Sequence, residues 1–212
     1  MNRQLLPLLA GVLIVAPVAT AQKWEVGGGA GGGFYTSRDV AGSATTGSVT
    51  IKGGLAASGW LANNTNKHWG GEIRYDFQMG DLQVSSGSTT ASFSSVSHAF
   101  HYDLVYHTAP PKSKTRPFVA FGGGVKDYRG TGTEVAAQPL NGLALLTKTS
   151  DLKGLISVGG GVKFNAGRFG FRLEVHDYLT PFPTKVIAPA QGAKIGGWIQ
   201  DLVVGFGVSM LN

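Results

Sequence analysis

The side chains best suited to chemistry in this sequence are histidines that stand beside aspartates. His101 and Asp103 lie two residues apart, so in a β-strand they would share one face and could form a hydrogen-bonded base that activates water. His176 and Asp177 are adjacent, and adjacent side chains of a strand point to opposite faces. They are therefore poorly placed to form a catalytic pair. No serine occupies an obvious third position, and the five histidines show no metal-ligand spacing. The sequence therefore predicts no catalytic, cofactor or metal site.

The elements that position these residues show apolar side chains at every second position, most clearly in residues 154–178. This segment predicts two strands joined by a turn at residues 165–168. In the second strand the apolar face carries Phe169, Phe171, Leu173 and Val175, and the opposite face carries Arg172, Glu174 and His176. A tilted strand of about 11 residues crosses a bilayer. Because the uncharged face also holds the largest apolar side chains, the pattern favours a membrane barrel over a soluble sheet.

The same alternation recurs along the chain and predicts eight strands. They are residues 24–35, 48–61, 68–79, 95–107, 117–125, 155–164, 169–178 and 198–211. A closed cylinder satisfies every backbone donor and acceptor inside hydrocarbon, which an open sheet cannot do. Aromatic side chains at strand ends, among them Trp24, Trp69, Tyr106 and Trp198, suit the interfacial girdles. The predicted fold is all-β, an eight-stranded antiparallel up-and-down transmembrane β-barrel.

The N-terminus predicts export. Asn2 and Arg3 precede an apolar run over residues 5–18, and the small residues 19–21 form a cleavage pattern. Residues 1–21 are therefore predicted to be a signal peptide, and residues 22–212 to form one barrel domain. The chain has no cysteine, which excludes a disulfide framework and a lipoprotein anchor. A high glycine content and few charged residues suit tightly packed strands.

The lengths of the connections predict an orientation. The predicted connections 36–47, 80–94, 126–154 and 179–197 are long, whereas 62–67, 108–116 and 165–168 are short. Outer-membrane barrels have short periplasmic turns and longer outer loops. We therefore expect a bacterial-type outer membrane, with the short turns in the periplasm.

Charged side chains inside a narrow barrel must pair with one another. The inward acids are predicted to be Glu25, Glu72, Asp76, Asp103, Glu174 and Asp201, and the inward bases Lys52, Arg74, Lys126, Lys163 and Arg172. This nearly balanced set predicts a packed, ion-paired structural core, because eight strands leave room only for side chains. A gated ion path, and hence a small passive channel, is the alternative interpretation.

The short turns carry bases that no acid offsets. Lys112, Lys114, Arg116 and Arg168 predict a basic periplasmic rim that holds anionic lipid headgroups, with an ordinary solvated surface as the alternative. Nucleic acid is not an expected partner, because the sequence shows no basic stripe with base-stacking aromatics.

The third and fourth outer loops are too apolar to be purely solvated. The apolar side chains are Leu140, Leu143, Leu145 and Leu146 in one loop and Pro181, Phe182, Pro183, Val186 and Ile187 in the other. They could pack together and seal the mouth of the barrel, or they could recognise another protein at the surface. Both interpretations remain open from sequence.

Signal peptide, strand pattern, loop asymmetry and the final strand, residues 201–212, together resemble the small eight-stranded outer-membrane barrels. That superfamily includes the membrane domain of outer membrane protein A and related porin-family barrels. The final strand differs from the family's insertion signal, which usually ends on Phe or Trp, whereas this chain ends Met210-Leu211-Asn212. We expect a monomer in contact with outer-membrane lipids, in a structural or surface-interaction role. Enzymes do occur among such barrels, but no set of residues in this sequence converges as a catalytic site requires, so no enzymatic activity is expected. A lipid-modifying enzyme that depends on His101 is the remaining alternative.

Overall fold

A computed structural model describes residues 24–42 and 45–212 of the chain. The predicted signal peptide, residues 1–21, lies outside the described residues. Within the described part no helix is long and apolar enough to cross a membrane. The strands are β1 (Trp24–Tyr35), β2 (Arg38–Ala41), β3 (Thr46–Asn64), β4 (Trp69–Ser86), β5 (Thr89–His107), β6 (Thr115–Gly130), β7 (Ala144–Leu146), β8 (Ser150–Ala166), β9 (Phe169–Pro181), β10 (Ile187–Pro189) and β11 (Trp198–Leu211).

Eight of these strands close into a cylinder. Neighbours pair antiparallel in the order β1, β11, β9, β8, β6, β5, β4 and β3, and β3 pairs with β1 again. The ring closes through Gly28, which lies opposite Val208 on one side and opposite Gly59 on the other. The predicted all-β, eight-stranded antiparallel barrel is confirmed, and the bounds predicted for its first and last strands, residues 24–35 and 198–211, coincide with β1 and β11.

The outward face of the barrel carries an apolar belt. On β4 the belt runs from Trp69 to Met79, both about half exposed. Ten strand residues extend about 34 Å, and a tilt of about 40° reduces this to about 26 Å along the barrel axis, which is the height of the apolar band in outer-membrane barrels. Beyond Met79 the outward side chains on this strand become polar, with Asp81, Gln83 and Ser85. This change marks the outer edge of the belt.

The prediction of a long loop over residues 80–94 is wrong. Here β4 continues to Ser86 and β5 begins at Thr89, so the connection is a tight turn in which Gly87 has a φ of 56°. The hairpin projects past the belt with polar residues outside, which gives the segment the composition of a loop. Its inner face stays apolar, because Leu82 and Val84 are buried. The other long connections hold short strands, and β7 pairs with β10 above the barrel.

The inward position predicted for Lys52 is also wrong. A β-bulge lies in β3 between Gly53 and Ala56, where the register with β4 shifts. A bulge inserts one extra residue and so reverses which parity faces inward. Ile51 is therefore buried, whereas Lys52 is exposed and lies opposite Asp81 of β4.

Candidate functional site

The interior of the barrel holds the charge network. All eight residues predicted for it lie inside and are 6% exposed or less: Glu72, Arg74, Asp76, Asp103, Lys126, Lys163, Arg172 and Glu174. Glu25 and Asp201, also predicted to face inward, are equally buried. These six carboxylates face four Lys and Arg side chains in the network, and His101 and His176 lie against the same carboxylates.

Two guanidinium groups bind most of the carboxylates. Arg172 donates from Nη1 and Nη2 to both oxygens of Glu72, at 2.9 and 2.8 Å, and also to Glu25 at 3.1 Å. Arg74 donates to Glu174 at 2.6 Å and to Asp76 at 3.0 Å. Bidentate arginine pairs fix geometry as well as charge. The network therefore crosslinks opposite walls of the barrel with defined side-chain positions.

A small cavity lies within this network. It measures ≈ 10 Å³, and its lining includes Arg74, Asp76, Glu174 and His176. That space is about the minimum that holds one water molecule. The geometry at this level is therefore that of a filled core.

Trp60 stands at the centre of the network, and sequence analysis did not place it there. Its indole nitrogen donates to Glu25 at 3.2 Å, and the guanidinium of Arg172 lies 4.3 Å from the ring centroid. Gly27 and Gly207 leave the space for the ring, since a Cβ at either position would overlap it. Trp60 and Leu61 are adjacent, so the sequence alone does not say which of them faces lipid. The signal in the sequence that could have found Trp60 is its even spacing from Lys52, the residue of this strand predicted to face inward.

His101 lies between two carboxylates. Nδ1 is 3.0 Å from Asp103 and Nε2 is 3.2 Å from Asp76. Only an imidazolium can donate to both, because a neutral ring has one N–H. Ser157 donates to Asp103 at 3.3 Å, so its hydroxyl contacts the carboxylate and not the imidazole. The predicted His101–Asp103 contact is present, but in this geometry it forms part of the ion-paired core.

His176 and Asp177 separate as strand geometry requires. His176 is buried inside, with Nε2 3.5 Å from Glu174. Asp177 is half-buried on the other face, where it accepts a hydrogen bond of 3.3 Å from Gln200. The two side chains therefore do not form a common site.

An aromatic layer separates the charge network from the outer end. Lys126 is ion-paired with Asp201, and its ammonium lies 4.9 Å from the ring centroid of Tyr35 and 5.4 Å from those of Tyr128 and Tyr178. These tyrosines share the inward parity of the network, which is the sequence signal that could have found them. The layer encloses a cation in aromatic faces, an arrangement that stabilises a desolvated ammonium.

The two apolar loops form a sealed cap over the mouth of the barrel. Leu143, Leu146, Phe182, Val186 and Ile187 are buried there together, as the sealing interpretation predicts. They pack against inward side chains of the projecting hairpin and of β2 and β3, among them Leu82, Val84, Phe93, Val40 and Val49. Leu145 is an exception and stays exposed. The barrel thus has an ion-paired core at the level of the apolar belt and an apolar core above it.

At the opposite end, the prediction for Arg116 is wrong. Lys112, Lys114 and Arg168 are exposed, but Arg116 is only 3% exposed and points inward. It donates to Asn64 at 2.6 Å, to the carbonyl of Ala109 at 2.9 Å and to that of Lys67 at 3.3 Å. The physical reason is that β6 begins at Thr115, two residues before the predicted start, so Arg116 shares the inward parity of Phe118.

Solved structures show the same fold. Neisserial surface protein A matches with a TM-score of 0.52 and 10% identity, over 90% of this chain and 98% of that chain. The outer membrane protein OprG from Pseudomonas aeruginosa matches with a TM-score of 0.57 and 12% identity, over 89% of this chain and 96% of that chain. No protein-family model and no curated protein matches the chain. The fold is therefore that of the small eight-stranded outer-membrane barrels.

Proposed function

We propose that this chain is an integral protein of a bacterial outer membrane, exported by a cleaved signal peptide over residues 1–21. It acts as a monomer with a closed interior, in a structural or surface-interaction role, and it carries out no catalysis. The short turns face the periplasm, and the capped end faces the outside.

The observation that carries this proposal is the opposite character of the two barrel faces. Outward side chains such as Ile73 and Phe100 are about half exposed and uncharged around the ring, whereas Arg172 and Glu174 are buried and paired within it. A soluble barrel would leave this apolar band in water, at a large cost in free energy. A bilayer removes that cost.

The role at the surface is supported by the outer extension. The hairpin of β4 and β5 continues about seven residues past the belt at Met79, and the cap fixes it in place. Recognition tends to reside on loops and extensions that a rigid scaffold holds. The cap therefore serves two purposes, because it closes the barrel and supports the polar outer surface of the hairpin.

The closed interior argues against the two rival functions. A passive channel needs a water path, but the network side chains occupy the lumen and contact one another at 2.6–3.4 Å. A lipid-modifying enzyme needs a reactive group that lipid can reach, but His101 is 2% exposed and held by two carboxylates.

Expression in a bacterium tests the proposal directly. We expect the protein in outer-membrane fractions, heat-modifiable migration on a detergent gel, and no discrete conductance in planar bilayers. Recovery in the soluble fraction would contradict the membrane assignment. Conductance that changes in Arg74→Gln would favour the channel, and an altered lipid composition that requires His101 would favour the enzyme.

A further inference from the structure

The barrel end with the short turns carries an exposed basic face, which we define as Lys67, Lys112, Lys114 and Arg168. These residues lie in the turns 65–68, 108–114 and 167–168, all of which the structure describes. The three turns contain no Asp or Glu. No acidic side chain within the turns therefore offsets the positive charge of the face, whereas Arg129, near the other end, pairs with Asp127.

Hydrogen bonds tie these three turns to one another. The buried guanidinium of Arg116 joins the first turn, at the carbonyl of Lys67, to the second, at that of Ala109. Asn165, near the end of β8, joins the second turn to the strand that leads into the third. Its side-chain amide donates to the carbonyls of Pro111 at 3.1 Å and Ser113 at 2.8 Å, and its backbone N–H donates to that of Lys114 at 2.8 Å. The backbone that carries the basic face is thus held in place before any ligand binds, which lowers the entropic cost of binding.

The position of the face indicates which anion it meets. Trp24 and Trp69, each about half exposed, begin the strands beside these turns, and Tyr106 packs against Trp69 with ring centroids 5.0 Å apart. Aromatic side chains of this kind sit at the level of lipid headgroups. The cations lie just beyond them, where the phosphates of the adjacent leaflet are found.

We propose that the basic face binds the phosphodiester headgroups of anionic phospholipids in the periplasmic leaflet. This inference rests on the proposed function, since it needs the barrel to be in a membrane. Zwitterionic phospholipids also carry an ammonium group, which the cations of the face repel. The face therefore prefers anionic to zwitterionic phospholipids because of their net charge. Arg116 and Asn165 are positioning residues, because they hold the turns and do not contact the lipid.

Retention of lipid by the purified, folded protein tests this proposal. The full chain is incubated in nonionic detergent micelles doped equally with phosphatidylglycerol and phosphatidylcholine, separated by gel filtration, and assayed for bound lipid. We expect phosphatidylglycerol to be enriched, and the enrichment to fall about tenfold or more in a variant with Lys67→Glu, Lys112→Glu, Lys114→Glu and Arg168→Glu, since each basic residue near an anionic surface contributes a severalfold effect. Enrichment should also fall at high salt, because salt screens exposed charges.

A matched control changes the same type of residue at the other end. Lys148→Glu, Lys185→Glu and Lys194→Glu change three exposed lysines on the surface of the capped end. This variant should keep the enrichment. Asn165→Ala retains every charge of the basic face, yet it should lower the enrichment because the two side-chain hydrogen bonds to Pro111 and Ser113 are lost and only the backbone bond to Lys114 still holds the second turn.

Each outcome has one meaning, provided that heat-modifiable migration shows each variant to be folded. Loss of enrichment in the basic-face variant and lowered enrichment in Asn165→Ala, with enrichment kept in the lysine control at the capped end, support the proposal. Equal loss in the control, or no phosphatidylglycerol preference in the unaltered protein, overturns it. Failure of the unaltered protein to enter membranes at all would contradict the proposed function instead, so the two failures are distinguishable.

Discussion

The guanidinium of Arg172 lies 4.3 Å from the ring centroid of Trp60, on the inner wall of the barrel. Through this contact Arg172 links an aromatic ring to a cluster of carboxylates. Arg172 stacks on the indole and still donates to Glu25, Glu72 and Glu174 from its Nη atoms. A planar guanidinium can stack on the indole and bind Glu72 with two parallel hydrogen bonds at the same time, whereas an ammonium lacks the second of these geometries. The position therefore requires arginine.

Arg172→Leu should lower the free energy of unfolding by about 3–5 kcal/mol, because it leaves buried carboxylates without their partner. Arg172→Lys should also destabilise the barrel, since lysine cannot bind Glu72 with two parallel hydrogen bonds. The measurement is urea unfolding in lipid vesicles, followed by the loss of heat-modifiable migration.

Arg129→Leu is the matched control for that experiment. Arg129 is ion-paired with Asp127, but its side chain is 56% exposed. Exposed pairs contribute about 0–1 kcal/mol, so this variant should unfold close to the unaltered protein. Equal destabilisation by both substitutions would contradict the assignment of Arg172 to the buried, ion-paired core.

Gly207→Ala should destabilise the barrel by about 1–3 kcal/mol, the usual cost of overpacking a filled core. The added methyl group would overlap the ring of Trp60. Gly205→Ala is the control, because it lies two residues away on the same inward face and its Cβ would meet only the carbonyl oxygen of Ala30, at 3.5 Å. Unfolding of both variants in urea compares them. If Gly205→Ala were the more harmful, the described position of Trp60 would be wrong.

The alternation of side chains predicts most of this fold because the two faces of each strand meet opposite surroundings. A charge that faced lipid would be costly, so residues such as Arg74 and Glu174 have to lie inside once their strands are identified. The alternation does not predict which of these inward side chains contact one another. Arg172 and Glu72 are 100 residues apart, and they meet because of the stagger of the strands around the barrel, which period two does not specify.

The errors in the prediction have local physical causes. The bulge after Gly53 reverses which residues of β3 face inward. No residue type in this glycine-rich strand predicts the bulge. The predicted start of β6 lies two residues too late, which puts Arg116 in a turn instead of the strand. The outward residues of the outer hairpin beyond Asp81 are polar and give it the composition of a loop, although its inward residues keep the strand pattern.

Leu146→Asp should open the outer cap without unfolding the barrel. Leu146 is 2% exposed and packs in the apolar cluster, so an aspartate there would be a buried charge without a partner. Limited proteolysis of the folded protein should then cut within residues 131–149 or 182–197, while migration on a detergent gel stays heat-modifiable. Leu145→Asp is the control, because Leu145 is 42% exposed in the same strand and should tolerate the change. Equal resistance of both variants to protease would contradict the sealing role.

Single cysteines should report both the β-bulge and the orientation, since the chain contains no cysteine of its own. Because the bulge turns Lys52 outward above the apolar belt, Lys52→Cys should react with a membrane-impermeant maleimide on intact cells, whereas the buried Ile51→Cys should not. Lys112→Cys, on a short turn, should react only after the outer membrane is disrupted. Rapid labelling of Ile51→Cys in the folded protein would contradict the reversed parity. Labelling of Lys112→Cys on intact cells would show that the short turns face outward, and the basic face would then meet a different leaflet.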